Sequence, residues 1–266
     1  MRQISKKGAT FLVNQSNEFW DSFEDNSWEP DTINILDNYL SPQDTFIDIG
    51  AWIGPITLYA GFKAQKCYSF EPDPTAYKEL VENISLNPTL AHKIDLINQA
   101  ITTDGRNVKI YSRYSYGDSG TSILKRVKSK NEFIEVPSIT FSRFVQNNSI
   151  QTKFIKMDVE GAEFFIIPSM IEILKSQKPK LLLSLHHGAL TEFNEMKYLP
   201  LGVARRIYRY LDKDRKFIKS KSTTAMRQLL NSLSFYSNCY TSKLTKFTLS
   251  EISDQELEKL DMLLFF

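Results

Sequence analysis

Between Thr45 and Ser184 the chain alternates strand-length apolar runs with longer amphipathic segments, and few folds accommodate that pattern. The runs are TFIDI (45–49), KCYSF (66–70), IDLINQAI (94–101), FIKMDV (154–159) and KLLLSL (180–185). PITLYAGF (55–62) and PTAYKELVENISLN (74–87) separate the first three, and AEFFIIPSMIEILKSQ (162–177) follows the fourth. Strands joined through helices run parallel, because a right-handed crossover carries the chain back to the same end of the sheet. The spacing predicts an α/β fold with a doubly wound, mostly parallel sheet. VKIYSRY (108–114) and IEVPSITF (134–141) interrupt the alternation around a polar stretch. They read as an excursion beside the sheet, a hairpin over the ligand crevice.

The flanks differ from this middle. WEPDTINILDNYLSPQD (28–44) predicts one amphipathic helix, with Pro30 in its first turn and Ser41-Pro42 at its end. Residues 188–224 are polar and basic; AMRQLLNSL (225–233) predicts a helix, and SNCYTS (237–242) and KFTLSEI (246–252) predict strands. The closing apolar run of DQELEKLDMLLFF either completes the sheet or packs on it. At 266 residues the expectation is one domain. It comprises an N-terminal extension and first helix (1–44), a cofactor-binding core (45–187), a basic helical insertion (188–224) and a C-terminal completion (225–266).

Composition narrows the class. Cys67 and Cys239 form no C-x-x-C pair, which suits a reducing compartment. The small-to-apolar stretch from Ala9 to Val13 is too short for a signal-peptide core, and no run approaches the ~20 residues of a membrane helix. A cytoplasmic chain without a membrane span is expected, and a homo-oligomer is compatible with it. The formal charge of +2 argues against a generic polyanion or nucleic-acid binder.

In an open α/β sheet the ligand sits beyond the carboxyl ends of the strands. The first run delivers Asp48, Gly50, Ala51, Trp52 and Gly54 there, followed by Pro55. A dinucleotide fingerprint G-x-G-x-x-G is absent: Trp52 and Pro55 stand where its second and third glycines belong. The loop suits a ligand without a pyrophosphate, such as S-adenosylmethionine. Glu71, 23 residues after Asp48 and followed by Pro72, ends the second run where an acid accepts both ribose hydroxyls. Asn98 and Gln99 end the third run, placed to meet the adenine. The plainer alternative is that Asp48 and Glu71 only cap loops.

FIDIGAWIG, YSFEPDP followed by Asn83 and Asn87, and above all IKMDVEGAE (155–163) resemble the FkbM family of methyltransferases. The resemblance covers roughly residues 28–187. It implies a class I, Rossmann-like methyltransferase fold with a seven-stranded sheet, S-adenosylmethionine as donor, and usually O-methylation, often of sugars or natural products. The family's fifth strand commonly runs to Glu-x-His, which aligns with Ser184-Leu185-His186; here Ser184 replaces the acid.

Asp158 ends the fourth run, beside the transferable methyl in this fold, with Glu160 and Glu163 just beyond it. His186 and His187 end the fifth run. A sugar hydroxyl needs its proton removed by a positioned base or after polarisation by a metal. His186 first, and His187 second, are candidates for base or ligand. Neighbouring side chains on a strand point to opposite faces, so one of the two is expected to face the acceptor. Asp158, Glu160 and His186 form a candidate set for Mg²⁺ or Mn²⁺, by analogy with ligand positions in catechol-type O-methyltransferases. Glu163 reads equally well as a first-turn acid favoured by the helix dipole.

Nine Lys/Arg and two Asp lie between Lys197 and Lys221, a net +7 that leaves the rest of the chain at about −5. This stretch, with Arg205, Arg206 and Arg209, is expected either to overhang the acceptor site and grip a nucleotide-activated or phosphorylated sugar, or to be a solvated helix. SYGDSGTS (115–122) reads as a loop closing on the site or as a simple turn. Tyr111, Arg113, Tyr114 and Tyr116 either hold a sugar or are edge-strand residues. The leading expectation is methylation of a sugar hydroxyl in glycan or surface-polysaccharide synthesis. The alternatives are an RNA or protein methyltransferase, although the N/D-P-P-Y/F tetrapeptide of amino-directed enzymes is absent, and a non-catalytic nucleoside-binding module.

Overall fold

A computed structural model describes residues 1–15, 17–213, 215–248 and 252–266. The chain opens with an antiparallel hairpin, β1 (Arg2–Lys6) and β2 (Ala9–Val13), then α1 (Phe19–Glu24) and α2 (Pro30–Tyr39). The alternating middle follows as β3 (Thr45–Ile49), α3 (Pro55–Lys63), β4 (Lys66–Phe70), α4 (Pro74–Ser85), α5 (Pro88–Ala91) and β5 (Ile94–Ile97). The excursion contains β6 (Ala100–Ile101), β7 (Val108–Ile110), β8 (Ile134–Val136) and β9 (Ser138–Ile139), and α6 (Phe141–Asn147) closes it. Then come β10 (Phe154–Met157), α7 (Glu163–Gln177), β11 (Lys180–Ser184), α8 (His187–Tyr198), α9 (Gly202–Leu211) and α10 (Lys216–Ser232). The C-terminal part is β12 (Cys239–Thr241), α11 (Asp254–Leu257) and β13 (Met262–Phe265).

Seven strands form one sheet in the order β12-β13-β11-β10-β3-β4-β5. β11, β10, β3, β4 and β5 are parallel, while β13 runs antiparallel to both β11 and β12. The closing apolar run therefore completes the sheet. Both faces are covered, which is why these strands read as continuous apolar runs rather than alternating ones. Ile47, Ile49, Ile155, Met157, Leu181 and Leu183 pack on one face with α6, α7 and α10. Phe46, Phe154 and Leu182 pack on the other with α2 and α3. Because β11, β10, β3, β4 and β5 run parallel, their carboxyl ends gather at one rim.

The excursion is a hairpin, as read: β7 pairs antiparallel with β8. Three details depart from the sequence reading. The expected N-terminal extension begins as the β1–β2 hairpin, ahead of its helices. The boundary expected at 224 falls inside α10, because Ile218, Ser222, Met226 and Leu229 of that helix are all buried. KFTLSEI shows only an isolated bridge at Lys246 among its described residues, and positions 249–251 lie outside them.

Candidate active site

The rim where β3 and β4 end builds half of a pocket. The amides of Gly50 and Ala51 both donate to the Phe70 carbonyl (3.0 and 2.9 Å), turning the chain sharply out of β3. Gly50 has φ +90°, and a Cβ there would lie 1.8 Å from the Asp158 carbonyl oxygen, so only glycine lets the two loops touch. Trp52, also left-handed at φ 51°, donates its amide to Glu71 Oε2 at 2.8 Å and its indole Nε1 to the Gly117 carbonyl at 2.8 Å. Glu71 Oε1 accepts the Asp73 amide at 2.8 Å. Each Glu71 oxygen thus keeps one lone pair for a further donor. Burial pushes this carboxyl up to about 7. Gly50, Ala51, Trp52, Glu71, Pro72 and Gln99 all line the pocket.

Three expected neighbours serve from behind. Asp48 is fully buried, accepts from Thr57 Oγ1 at 2.8 Å and does not line the pocket. The pleat turns it under the loop, and burial raises its carboxyl to about 6. Gly54, at φ +96°, starts α3, where a Cβ would come within 2.6 Å of Leu80 Cδ1. It gives helix packing rather than ligand contact. Asn98 donates its side-chain amide to the Glu71 carbonyl at 2.8 Å, bracing the β4 loop, while Gln99 takes the lining position.

The other half comes from β10 and β11. Lys156 stands opposite Asp48 in the β10–β3 register, on the same face of the sheet. Its side chain is 4% exposed, with Nζ 3.9 Å from Asp48 Oδ1 and 3.4 Å from Asp158 Oδ2. Burial alone would lower this ammonium, but Asp158, Asp48 and Glu29 together raise it. Asp158 is held low overall: burial opposes its charge, and Lys156 and His186 favour it. Beyond it Glu160 (φ 54°) and Gly161 (φ 98°) make a left-handed corner leading into α7.

That corner brings Asp158, Glu160 and His186 together, with one candidate ligand atom from each lying within 4.8 Å of the others. His186 Nε2 is 3.3 Å from Asp158 Oδ1 and 3.4 Å from Glu160 Oε1. The remaining oxygens are taken by cations: Asp158 Oδ2 faces Lys156, and Glu160 Oε2 accepts from Arg126 Nη1 at 2.8 Å. Glu163, fully buried in the first turn of α7, accepts the Gly161 amide at 2.9 Å and the His186 amide at 2.7 Å. Its Oε1 also lies 3.4 Å from His186 Nδ1, which orients the imidazole from behind. Two oxygens and an imidazole nitrogen converging on one point are a donor set for a divalent cation.

The same surroundings favour the charged imidazolium of His186. Burial would lower the His186 imidazolium, but Glu163, Asp158 and Glu160 raise it to about 10. His187 turns away from the pocket; burial lowers it, with Glu258 and Lys219 as its charged neighbours. Only one histidine lines the site: β11 ends at Ser184, His186 caps α8 at the rim, and His187 is already the first residue of that helix.

Several contributors had no signal in the sequence. Trp28 and Glu29 line the pocket from just before α2, where Glu29 takes φ 39°. Burial raises the Glu29 carboxyl, and so does the neighbouring Asp158. Arg126, 1% exposed, ties the polar excursion to Glu160 and to the Gly120 carbonyl. Asp73 accepts the Gly117 amide (2.8 Å) and Thr121 Oγ1 (3.0 Å), so residues 115–122 lie closed over the pocket, with Asp118 and Thr121 in its wall.

The expected acceptor contacts lie elsewhere. Arg113 pairs with Glu192 at 2.7 Å, and Tyr114 is 75% exposed outside the pocket. Arg209 pairs with Glu195 at 2.7 Å, Arg205 donates to the Leu199 and Pro200 carbonyls, and Arg206 is exposed. None of the five lines the pocket, because α8 carries the basic stretch away from the strand ends.

Against known proteins, the family model described as Methyltransferase FkbM domain matches residues 48–236. No curated protein matches the chain. Among solved structures it is similar to methyltransferase FkbM from Methylobacillus flagellatus KT, at 15% identity and TM-score 0.45, over 85% of this chain and 44% of that one. The chain thus spans less than half the length of that relative. It is also similar to an rRNA methylase from Streptococcus thermophilus (10% identity, TM-score 0.36, 63% of this chain and 75% of that one). A third is the N-terminal domain of human METTL16, in complex with SAH (12% identity, TM-score 0.32, 75% and 67%).

Proposed function

The chain belongs to the FkbM family of methyltransferases, with a class I, Rossmann-like fold, and on that premise we propose that it moves a methyl group from S-adenosylmethionine to a sugar hydroxyl. The observation that carries this reading is the convergence of Asp158, Glu160 and His186 at the wall of the pocket that also holds Glu71. A sugar hydroxyl holds its proton far above neutral pH and must be helped to lose it, and a divalent cation held by two carboxylates and an imidazole supplies that help.

In this reading Glu71 receives the ribose hydroxyls on its two free lone pairs, and the Gly50–Trp52 turn lets the backbone approach the amino-acid tail. Gln99 meets the adenine. Asp158, Glu160 and His186 hold a divalent cation, each already oriented by Lys156, Arg126 or Glu163. Bound there, Mg²⁺ or Mn²⁺ would lower the pKa of an acceptor hydroxyl. Methyl transfer disperses charge rather than building it, so alignment is the main task, for which well-oriented systems gain ~7–11 kcal/mol. The closed 115–122 loop and its Asp73 anchor supply that alignment by keeping water out.

Trp28 and Trp52, with ring centroids 6.4 Å apart, and the Glu29 carboxylate favour a sugar: indole faces cover its C–H surface and a carboxylate accepts its hydroxyls. The arginines expected to grip a pyrophosphate are committed or distant, so the sugar itself is what this pocket recognises. A role in glycan or surface-polysaccharide synthesis follows from that acceptor chemistry. In this proposal residues 45–187 bind the cofactor, and Trp28 and Glu29 of the N-terminal segment help to choose the acceptor. The test is incubation with methyl-labelled S-adenosylmethionine and a panel of free and nucleotide-linked sugars, with and without Mg²⁺ or Mn²⁺. Cation-dependent ether formation on a sugar is expected. Label recovered only in RNA or on protein amines would replace this reading with a macromolecular methyltransferase.

A further inference from the structure

The basic stretch that misses the pocket builds a surface of its own. α9 sits on the protein the wrong way round for a globular helix. Its inward side is polar: Arg209 Nε donates to the fully buried Glu195 at 2.7 Å, and Arg205 donates to the Leu199 and Pro200 carbonyls at 2.8 and 2.9 Å. The Tyr208 hydroxyl donates to Asp212 at 2.9 Å. Its outward side is apolar. Val203, Ile207, Tyr210 and Leu211 share one arc at helical spacing and are 54–79% exposed, and no residue of α9 is buried. Tyr198 and Phe217, packed edge to face, extend this surface from the flanking helices, with Lys197 and Lys221 against their rings. A contiguous apolar face of this kind marks an interaction site.

The charge around the face selects the occupant. Among the described acids of the region, Glu192 pairs with Arg113, Glu195 with Arg209 and Arg215, and Asp212 accepts from Tyr208. Arg206, Lys213, Lys216, Lys219 and Lys221 form no ion pair among the described residues. An apolar arc rimmed by cations is repelled by a second copy of itself. A soluble acidic ligand without an apolar face would match the rim and leave the arc in water. An anionic bilayer satisfies both, taking the apolar arc into the acyl boundary and the Lys/Arg rim into the headgroups.

We propose that α9, with the flanking ends of α8 and α10, docks this protein in the plane of an anionic phospholipid surface. The proposed attachment is peripheral, through this helix face; no helix of the described residues is long and apolar enough to cross a membrane. The inference does not depend on the methyl-transfer reading.

Sedimentation of the full chain with vesicles tests it. Vesicles of phosphatidylglycerol and phosphatidylcholine in equal parts should pellet the protein, added salt should release it, and phosphatidylcholine alone should bind much more weakly. Ile207→Asp with Leu211→Asp should lower binding about tenfold or more while the circular dichroism melt stays unchanged, since both side chains are exposed. Lys219→Glu with Lys221→Glu should remove the preference for anionic vesicles. The proposal fails if the wild type does not pellet with anionic vesicles, or if the Ile207/Leu211 double variant binds as wild type. It also fails if analytical ultracentrifugation finds a dimer that the same double variant dissolves, which would make the occupant a second copy.

Discussion

The fate of the single side chains turns on what shares their face. Glu71 was legible because it ends a strand at a fixed distance after another acid. The structure adds that its two oxygens are already half used by backbone amides. Glu71→Gln should weaken S-adenosylmethionine binding about tenfold to a hundredfold, the value of hydrogen bonds to a charged acceptor, as read by calorimetry. Because the carboxyl is raised to about 7, affinity in the wild type should climb as pH rises through that value, and Glu71→Gln should flatten the climb. At the opposite wall, His186→Ala and Glu160→Gln should abolish turnover while cofactor affinity stays within a few-fold. Exhaustive chelation should do the same reversibly, and undiminished turnover after it would remove the cation from the scheme. Lys156 had no signal in sequence: it sits inside an apolar run, and only the register that sets it opposite Asp48 explains a lysine there.

Among the elements, those whose positions rest on local periodicity were readable, and those fixed by distant partners were not. The strands and helices of 45–184 announce themselves through apolar runs and Pro at the helix starts. The β1–β2 hairpin does not, because its anchors lie far along the chain. Asn87 accepts the Leu12 amide and donates to the Leu12 carbonyl, both at 2.7 Å, and Asn83 accepts the Asn14 amide at 2.8 Å. The two asparagines that helped to carry the family resemblance thus clamp the N-terminal hairpin to α4. Asn87→Ala should cost about 1–3 kcal/mol, the range for leaving buried polar groups unpaired, and should speed amide exchange within residues 2–13 more than elsewhere. Phe265 in β13 is fully buried between the sheet and α10, and Phe265→Ala should cost about 3–5 kcal/mol in denaturant unfolding.

At the scale of the whole molecule, buried acids set the response to pH. Asp48 rises from its ordinary 3.8 to about 6, and Glu71 from 4.5 to about 7, both through burial. Between those values the folded state holds protons that the unfolded chain has released. Their contribution to stability is therefore fully present below about pH 4 and lost as pH rises through 6 and 7. Asp37 works the other way: held at about 2 by Lys63 and Tyr59, it adds stability above 3.8 that disappears as pH falls through 2. Denaturant unfolding across pH 4 to 8 should show stability falling as pH rises, and Asp48→Asn should make that slope shallower.

The sequence by itself determined the parallel core of the sheet, the glycine turn after its first strand, and the placing of Glu71, Asp158, Glu160 and His186 at one rim, because each follows from a period or a short spacing. It also carried the family, since DVEGAE and the Glu71 segment are local patterns. Tertiary structure alone decided which of two adjacent histidines faces the pocket, that three carboxylates surround its imidazole, and that Glu29, Arg126 and Lys156 belong to the site. It also decided that the basic stretch points away from the pocket with its apolar side outward. Those outcomes depend on strand register and on where a helix axis leads, and neither is encoded within the few residues around the side chain it places.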